Sequence, residues 1–140
     1  MPAIDCRRLT PVLVVDAIEP VLPFWAKLGA VPTIEVPHGD TLGFVQLSLG
    51  ATEVMYQTVA SLAGEFTPAT LGLIGPLPRV TSLFVEVASL ADVEARLAGE
   101  RVFQPRRQTF YGSRETGYLD PAGNPVLFAQ FLPPPDAGVG

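Results

Sequence analysis

The chain has 140 residues, 48% of them apolar, which suits one compact domain with a real core and leaves too little for a second independent one. With 14 carboxylates against 9 basic side chains, a formal charge of −5 and a sequence pI of about 4.7, it is poorly suited to neutralising phosphates. That balance argues against nucleic acid as a partner and admits a cationic one. Cys6 is the one cysteine, so no intramolecular disulfide can form, and no apolar run approaches the ~20 residues of a membrane span. The start Met1 to Asp5 lacks the basic flank and apolar core of a secretory signal, and the expected location is cytoplasmic with no membrane partner.

Leu9 to Val15 reads as a buried strand rich in β-branched residues. Asp16 follows as a helix cap, with Glu19 three residues on as the partner in a capping box. Ile18, Val21, Leu22, Trp25 and Leu28 recur at helical spacing, Pro20 and Pro23 distort the first turn, and Gly29 closes the helix. Strands are expected over 31–36, 41–49 and 52–59, the last two joined by the turn Gly50-Ala51. Residues 60–78, with Pro68, Pro76, Pro78 and Gly64, Gly72, Gly75, read as a linker.

The same order then restarts. Thr81 to Val87 is a strand, and Ser89 caps a helix with Asp92 as box partner. That helix buries Leu90, Val93 and Leu97 and ends at Gly99. Strands over 102–105, 116–120 and 125–131 follow, and the tail 132–140 is expected to be extended and mobile. The fold class is therefore α+β: two βαβββ modules, 9–59 and 79–131, forming an open, cupped mixed sheet around a cleft.

The doubled order, together with Val14-Val-Asp16 followed by Phe24-Trp25-Ala-Lys-Leu-Gly29 and with Leu119-Asp-Pro-Ala-Gly-Asn-Pro-Val-Leu-Phe128, resembles the vicinal oxygen chelate superfamily. The pieces Phe24 to Gly29, Tyr111-Gly-Ser-Arg-Glu115 and Asp120 to Asn124 are most similar to its bleomycin-resistance proteins, which bind a drug without transforming it. Enzymes of that superfamily hold a divalent metal with His or Glu from the first and last strand of each half. The resemblance places those positions at Leu9, Met55, Ser82 and Leu127, none of which supplies an imidazole, carboxylate or thiolate. It implies no metal, no cofactor and no catalytic residue. The one histidine, His38, reads as part of a surface turn.

Alternation along strands gives the expected cleft lining. If Val12 and Val14 pack on the helix, Leu9, Pro11 and Leu13 face the cleft. By the same rule Phe44, Gln46, Glu53, Met55, Gln57, Phe84, Glu86 and Leu127 point into it, as does Tyr118 if Gly117 and Leu119 face the helix. Arg106 to Glu115 is expected to form a lid closing Phe110, Tyr111 and Arg114 over a ligand, or else a solvated hairpin. Phe44, Met55 and Phe84 serve equally well as core filler. Such a lining suits a large amphipathic molecule bearing positive charge, which aromatic faces and Glu53 or Glu86 would hold. Two function classes stand: a homodimeric protein that binds and sequesters a small molecule, or a metal-dependent lyase, isomerase or dioxygenase of the same superfamily. A fold used for protein contacts alone is a third, suggested by the apolar stretch Leu71 to Pro78.

Overall fold

A computed structural model describes residues 1–134; the expected mobile tail from residue 135 on lies outside the described residues. The chain divides into two compact units, Met1–Arg79 and the part from Val80 onward. Each carries an open four-stranded mixed sheet with one parallel and two antiparallel pairings. Together with the four helices among the described residues they make an α+β fold.

In the first unit β1 (Val12–Val15), β2 (Val31–His38), β3 (Thr41–Leu49) and β4 (Thr52–Thr58) lie in the order β1-β4-β3-β2. One face is dry. Leu13 and Val15 of β1, Val45 and Leu47 of β3, and Val54 and Tyr56 of β4 are buried against Ile18, Val21, Phe24 and Trp25. The Trp25 indole N–H donates to the Tyr56 hydroxyl at 2.8 Å, satisfying a polar group that would otherwise be stranded in the core. This face reverses the parity expected for β1, since Leu13 packs on the helix and Val12 and Val14 lie on the open face beside Met55 and Gln57. Four apolar residues in a row carry no alternation to set parity.

The first helix is also shorter than expected. A 3-10 turn, Glu19–Val21, leads into α1 (Leu22–Ala26), with prolines at the head of both and no side-chain cap. Asp16 does not cap it, and Glu19 instead accepts from the Leu42 backbone N–H at 2.7 Å, tying the turn to β3. That bond holds the Glu19 carboxyl below its usual range. Gly29, at φ 88°, ends the helix as expected. The stretch expected to be a linker contains α2 (Val59–Glu65) and α3 (Pro68–Ile74). Thr58 and Thr67 cap them, and Pro68 stands where a helix tolerates proline.

In the second unit β5 (Leu83–Glu86), β6 (Val102–Gln108), β7 (Ser113–Leu119) and β8 (Pro125–Phe131) lie in the order β5-β8-β7-β6. The helix α4 (Leu90–Arg96) buries Leu90 and Val93, with Leu97 just beyond, and the Ser89 side chain caps it by accepting from the Asp92 N–H. Gln130 Oε1 accepts from the Leu90 N–H at 2.9 Å, and Thr116 donates to Glu94 at 2.8 Å, so these side chains mark the helix-facing side of the sheet.

Replacing Tyr56 by Phe removes the acceptor of a buried N–H while keeping the ring. The expected cost is about 1–3 kcal/mol in urea denaturation followed by circular dichroism. Unchanged stability would contradict the bond.

Candidate functional site

The open face of the first sheet follows from its ladder. Val12 and Val14 of β1, Glu53, Met55 and Gln57 of β4, and Phe44, Gln46 and Ser48 of β3 share one side, with Ile34 and Val36 of β2. Of the expected lining, Phe44, Gln46, Glu53, Met55 and Gln57 are therefore brought together. Their polar groups are engaged, however. Gln46 donates to Thr33 at 3.2 Å, Gln57 donates to Glu65 at 2.8 Å, and Glu53 pairs with Arg8 at 3.3 Å. Leu9 lies in the irregular stretch before β1, and the residue paired with Met55 is Val12.

On the second sheet, Phe84 and Glu86 of β5, Leu127, Ala129 and Phe131 of β8, and Ser113, Glu115 and Gly117 of β7 share the side away from α4. Phe84, Glu86 and Leu127 of the expected lining thus share one face. Ser82 falls before β5, and the residue paired with Leu127 is Phe84. Tyr118 does not belong to this face. It is buried on the α4 side with its ring edge-on to Phe128 at 6.0 Å, and burial, joined by the nearby Glu94 charge, pushes its phenol up. Arg114 pairs with Gln130 and so also projects from the helix-facing side. The parity expected for Tyr118 fails because Gly117 faces the open side, and Arg114, expected in the lid, lies instead within β7. A Cβ on Gly117 would come within 2.5 Å of Phe103 Cζ, so the glycine makes room for the Phe103 ring.

The expected lid is smaller than its sequence span, because β6 runs to Gln108 and β7 starts at Ser113. Only the turn Thr109 to Gly112 is left, with Gly112 at φ 90°. Arg106 is drawn to α4, where its Nε donates to Glu94 at 3.1 Å. That bond, against the effect of burial, holds the Glu94 carboxyl low. Phe110 and Tyr111 remain in the turn, edge to face at 5.1 Å, and Tyr111 lies 6.5 Å from Phe131, which lies 6.4 Å from Phe84. These four rings form a continuous stripe, with Phe110 fully exposed and Phe84 at 54%.

Beneath the stripe sits Glu115, whose side chain has no exposed surface. Arg107 donates to its Oε1 from Nε at 3.2 Å and Nη2 at 3.0 Å, and Ser113 donates to Oε2 at 3.0 Å. The Tyr111 hydroxyl also donates to Oε2. Burial alone would raise this carboxyl, but the hydrogen bonds from Tyr111, Arg107 and Ser113 and the Arg107 charge outweigh it and leave it below the usual range. The Glu86 side chain, by contrast, is exposed and has no hydrogen bond or ion pair among the described residues. Glu115, Arg107 and Phe131 were not in the sequence-based lining. Extending the alternation of Leu127 by two pairs of residues would have found Phe131.

The residues do not fit a metal. Val12, Met55, Phe84 and Leu127 offer carbon or a thioether, and among the described residues no three His, Cys, Asp or Glu side chains converge.

Solved structures share this architecture. A glyoxalase/bleomycin resistance protein/dioxygenase family enzyme from Burkholderia phytofirmans superposes with a TM-score of 0.68 at 16% identity, over 88% of this chain and 97% of that one. A glyoxalase/bleomycin resistance protein/dioxygenase from Nocardioides gives 0.65 at 20% identity, over 97% and 91%. A bleomycin resistance determinant encoded on transposon Tn5 gives 0.62 at 14% identity, over 90% and 98%. The fold is the glyoxalase/bleomycin-resistance/dioxygenase fold. No protein-family model matches the sequence, and no curated protein matches it significantly. A shared fold does not fix a function, so function has to be argued from the site.

A charged Glu115 makes a prediction about acid. Its folded pKa is depressed, so its contribution to stability is full above the unfolded carboxyl value of about 4.3 and is lost as pH falls through the lower folded value. Glu19 and Glu94 are lowered too, so the wild-type curve is steeper still. Urea denaturation across this range should give E115Q a flatter pH dependence than the wild type. Equal slopes would contradict a buried carboxylate that stays ionised.

Proposed function

We propose that this protein binds and sequesters a small amphipathic cation bearing a planar ring system, without transforming it. The observation that carries this reading is the exposed stripe Phe84, Phe131, Tyr111 and Phe110 beside Glu86, which is unpaired among the described residues. Contiguous exposed aromatics lose hydration free energy unless something covers them, and ring faces favour planar and cationic groups by roughly 0.5–2 kcal/mol each. Glu86 supplies the charge partner. On the open face of the second sheet Glu115 is engaged by Arg107, which leaves Glu86 as the accessible carboxylate there. The overall charge of −5 attracts such a ligand at longer range.

Metal-assisted chemistry has no support in the residues at the paired strand positions, whereas simple retention needs none. The likeness to the Tn5 determinant, named for bleomycin resistance, supports the reading. Acting as a cytoplasmic homodimer that withdraws a toxic cation from solution, this protein would confer resistance by stoichiometry alone.

Calorimetric titration with bleomycin and with 9-aminoacridine, a compact planar cation, tests the reading. Saturable heat is expected with at least one, together with recovery of the unaltered compound by mass spectrometry. E86Q should weaken binding about tenfold, equivalent to ~1.4 kcal/mol, and added salt should weaken it further. Absence of heat with both compounds, or their chemical conversion, would overturn it.

A further inference from the structure

Tyr111 and Phe110 sit on a turn of four residues, a position where side chains ordinarily move freely. Here the turn is fastened from below. The Thr109 backbone N–H donates to the Ser113 carbonyl at 2.8 Å, and the Ser113 N–H donates back to the Thr109 hydroxyl at 3.1 Å. The Thr109 and Ser113 hydroxyls are 2.8 Å apart. Since a carboxylate can only accept, the Ser113 hydroxyl gives its proton to Glu115 and receives one from Thr109. Tyr111 adds the bond from the tip of the ring. Both carboxylate oxygens are thus committed, Oε1 to the Arg107 fork and Oε2 to Tyr111 and Ser113.

We infer that Glu115 is the positioning and selectivity residue of the aromatic stripe: it latches Tyr111, and with it Phe110, into a fixed wall, and it neutralises Arg107 so that a cationic ligand can approach. The inference rests on the binding function proposed above. A ring held in place before binding loses little freedom when the ligand arrives, which raises affinity without a new contact. The charge matters separately. Arg107 lies in β6 on the same side of the sheet as the stripe, and its side chain is half-exposed. Without Glu115 it would present an uncompensated positive charge to a ligand of the same sign. The other charged groups nearby do not take over this role, since Arg106 and Glu94 are paired with each other on the α4 side, and Arg114 projects from that side.

Two variants separate the two parts. Y111F removes the latch and changes no charge, so it should weaken 9-aminoacridine and acridine, its uncharged parent in mildly alkaline buffer, by similar factors of about threefold to tenfold. E115Q removes the counter-charge and leaves one acceptor oxygen where the carboxylate offered two, so it loosens the latch and should weaken the cation by about tenfold more than the neutral parent. A loss of folded protein would lower both affinities alike in both variants and could not produce this difference. The latch is also read without ligand. The chain has three tyrosines, so 3-fluorotyrosine labelling gives three fluorine resonances. The one that Y111F removes should lie away from the free-tyrosine position in the wild type and move toward it in E115Q. A wild type that binds neither of these probes nor bleomycin overturns the functional reading, and one that binds bleomycin but not 9-aminoacridine overturns the inference alone. A wild type that binds, with both variants matching it or with the Tyr111 resonance unmoved in E115Q, overturns the inference alone.

Discussion

A carboxylate with no exposed surface must find hydrogen-bond donors for both oxygens, because an unpaired buried charge costs several kcal/mol. Glu115 finds them in Arg107, Tyr111 and Ser113, each from a different place along the β6–β7 hairpin. The hairpin register puts Arg107 opposite Glu115, the alternation of β7 puts Ser113 on the same side, and the tight turn at Gly112 lets Tyr111 fold back over both. A hydrogen-bonding requirement thereby becomes a structural one: the rings of Tyr111 and Phe110 are set in line with Phe131 and Phe84.

The two units apply one plan to different ends. Each covers one face of a four-stranded sheet with a helix and leaves the other open. On the first open face the polar groups satisfy one another, through Gln46 with Thr33, Gln57 with Glu65 and Glu53 with Arg8. The second carries the aromatic stripe with Glu86 unpaired among the described residues. In both, the parallel strand pair sets apolar side chains together, Val12 with Met55 and Phe84 with Leu127. Those positions extend the apolar surface, and Phe84 joins the stripe.

Much of the fold was legible because local signals and tertiary packing agreed. Ser89 caps α4, Gly29 and Gly99 stand at positive φ where helices end, and the strands 41–49 and 125–131 have the expected bounds. The first helix was less legible, since Pro20 and Pro23 turn its start into a 3-10 segment and Glu19 serves β3 instead of a capping box. Parity was readable where polar and apolar residues alternate, as in Glu53-Val-Met-Tyr-Gln57, and unreadable in Val12 to Val15. It was misleading around Gly117, where a small residue on the open face implied the opposite assignment for Tyr118. Glu115 could not be found locally. A glutamate in a polar run looks solvated, and only the pairing of β6 with β7 reveals that three donors converge on it.

The central claim is that a ligand lies on the open face of the second sheet, against the wall that Glu115 holds. Chemical-shift mapping of isotope-labelled protein during titration with 9-aminoacridine tests it most directly. The account predicts the largest perturbations at Phe84, Glu86, Phe110, Tyr111 and Phe131, with α4 and Tyr118 little affected. Perturbations centred on Val12, Phe44 and Met55 of the first sheet, or on the α4 side of the second, would contradict it.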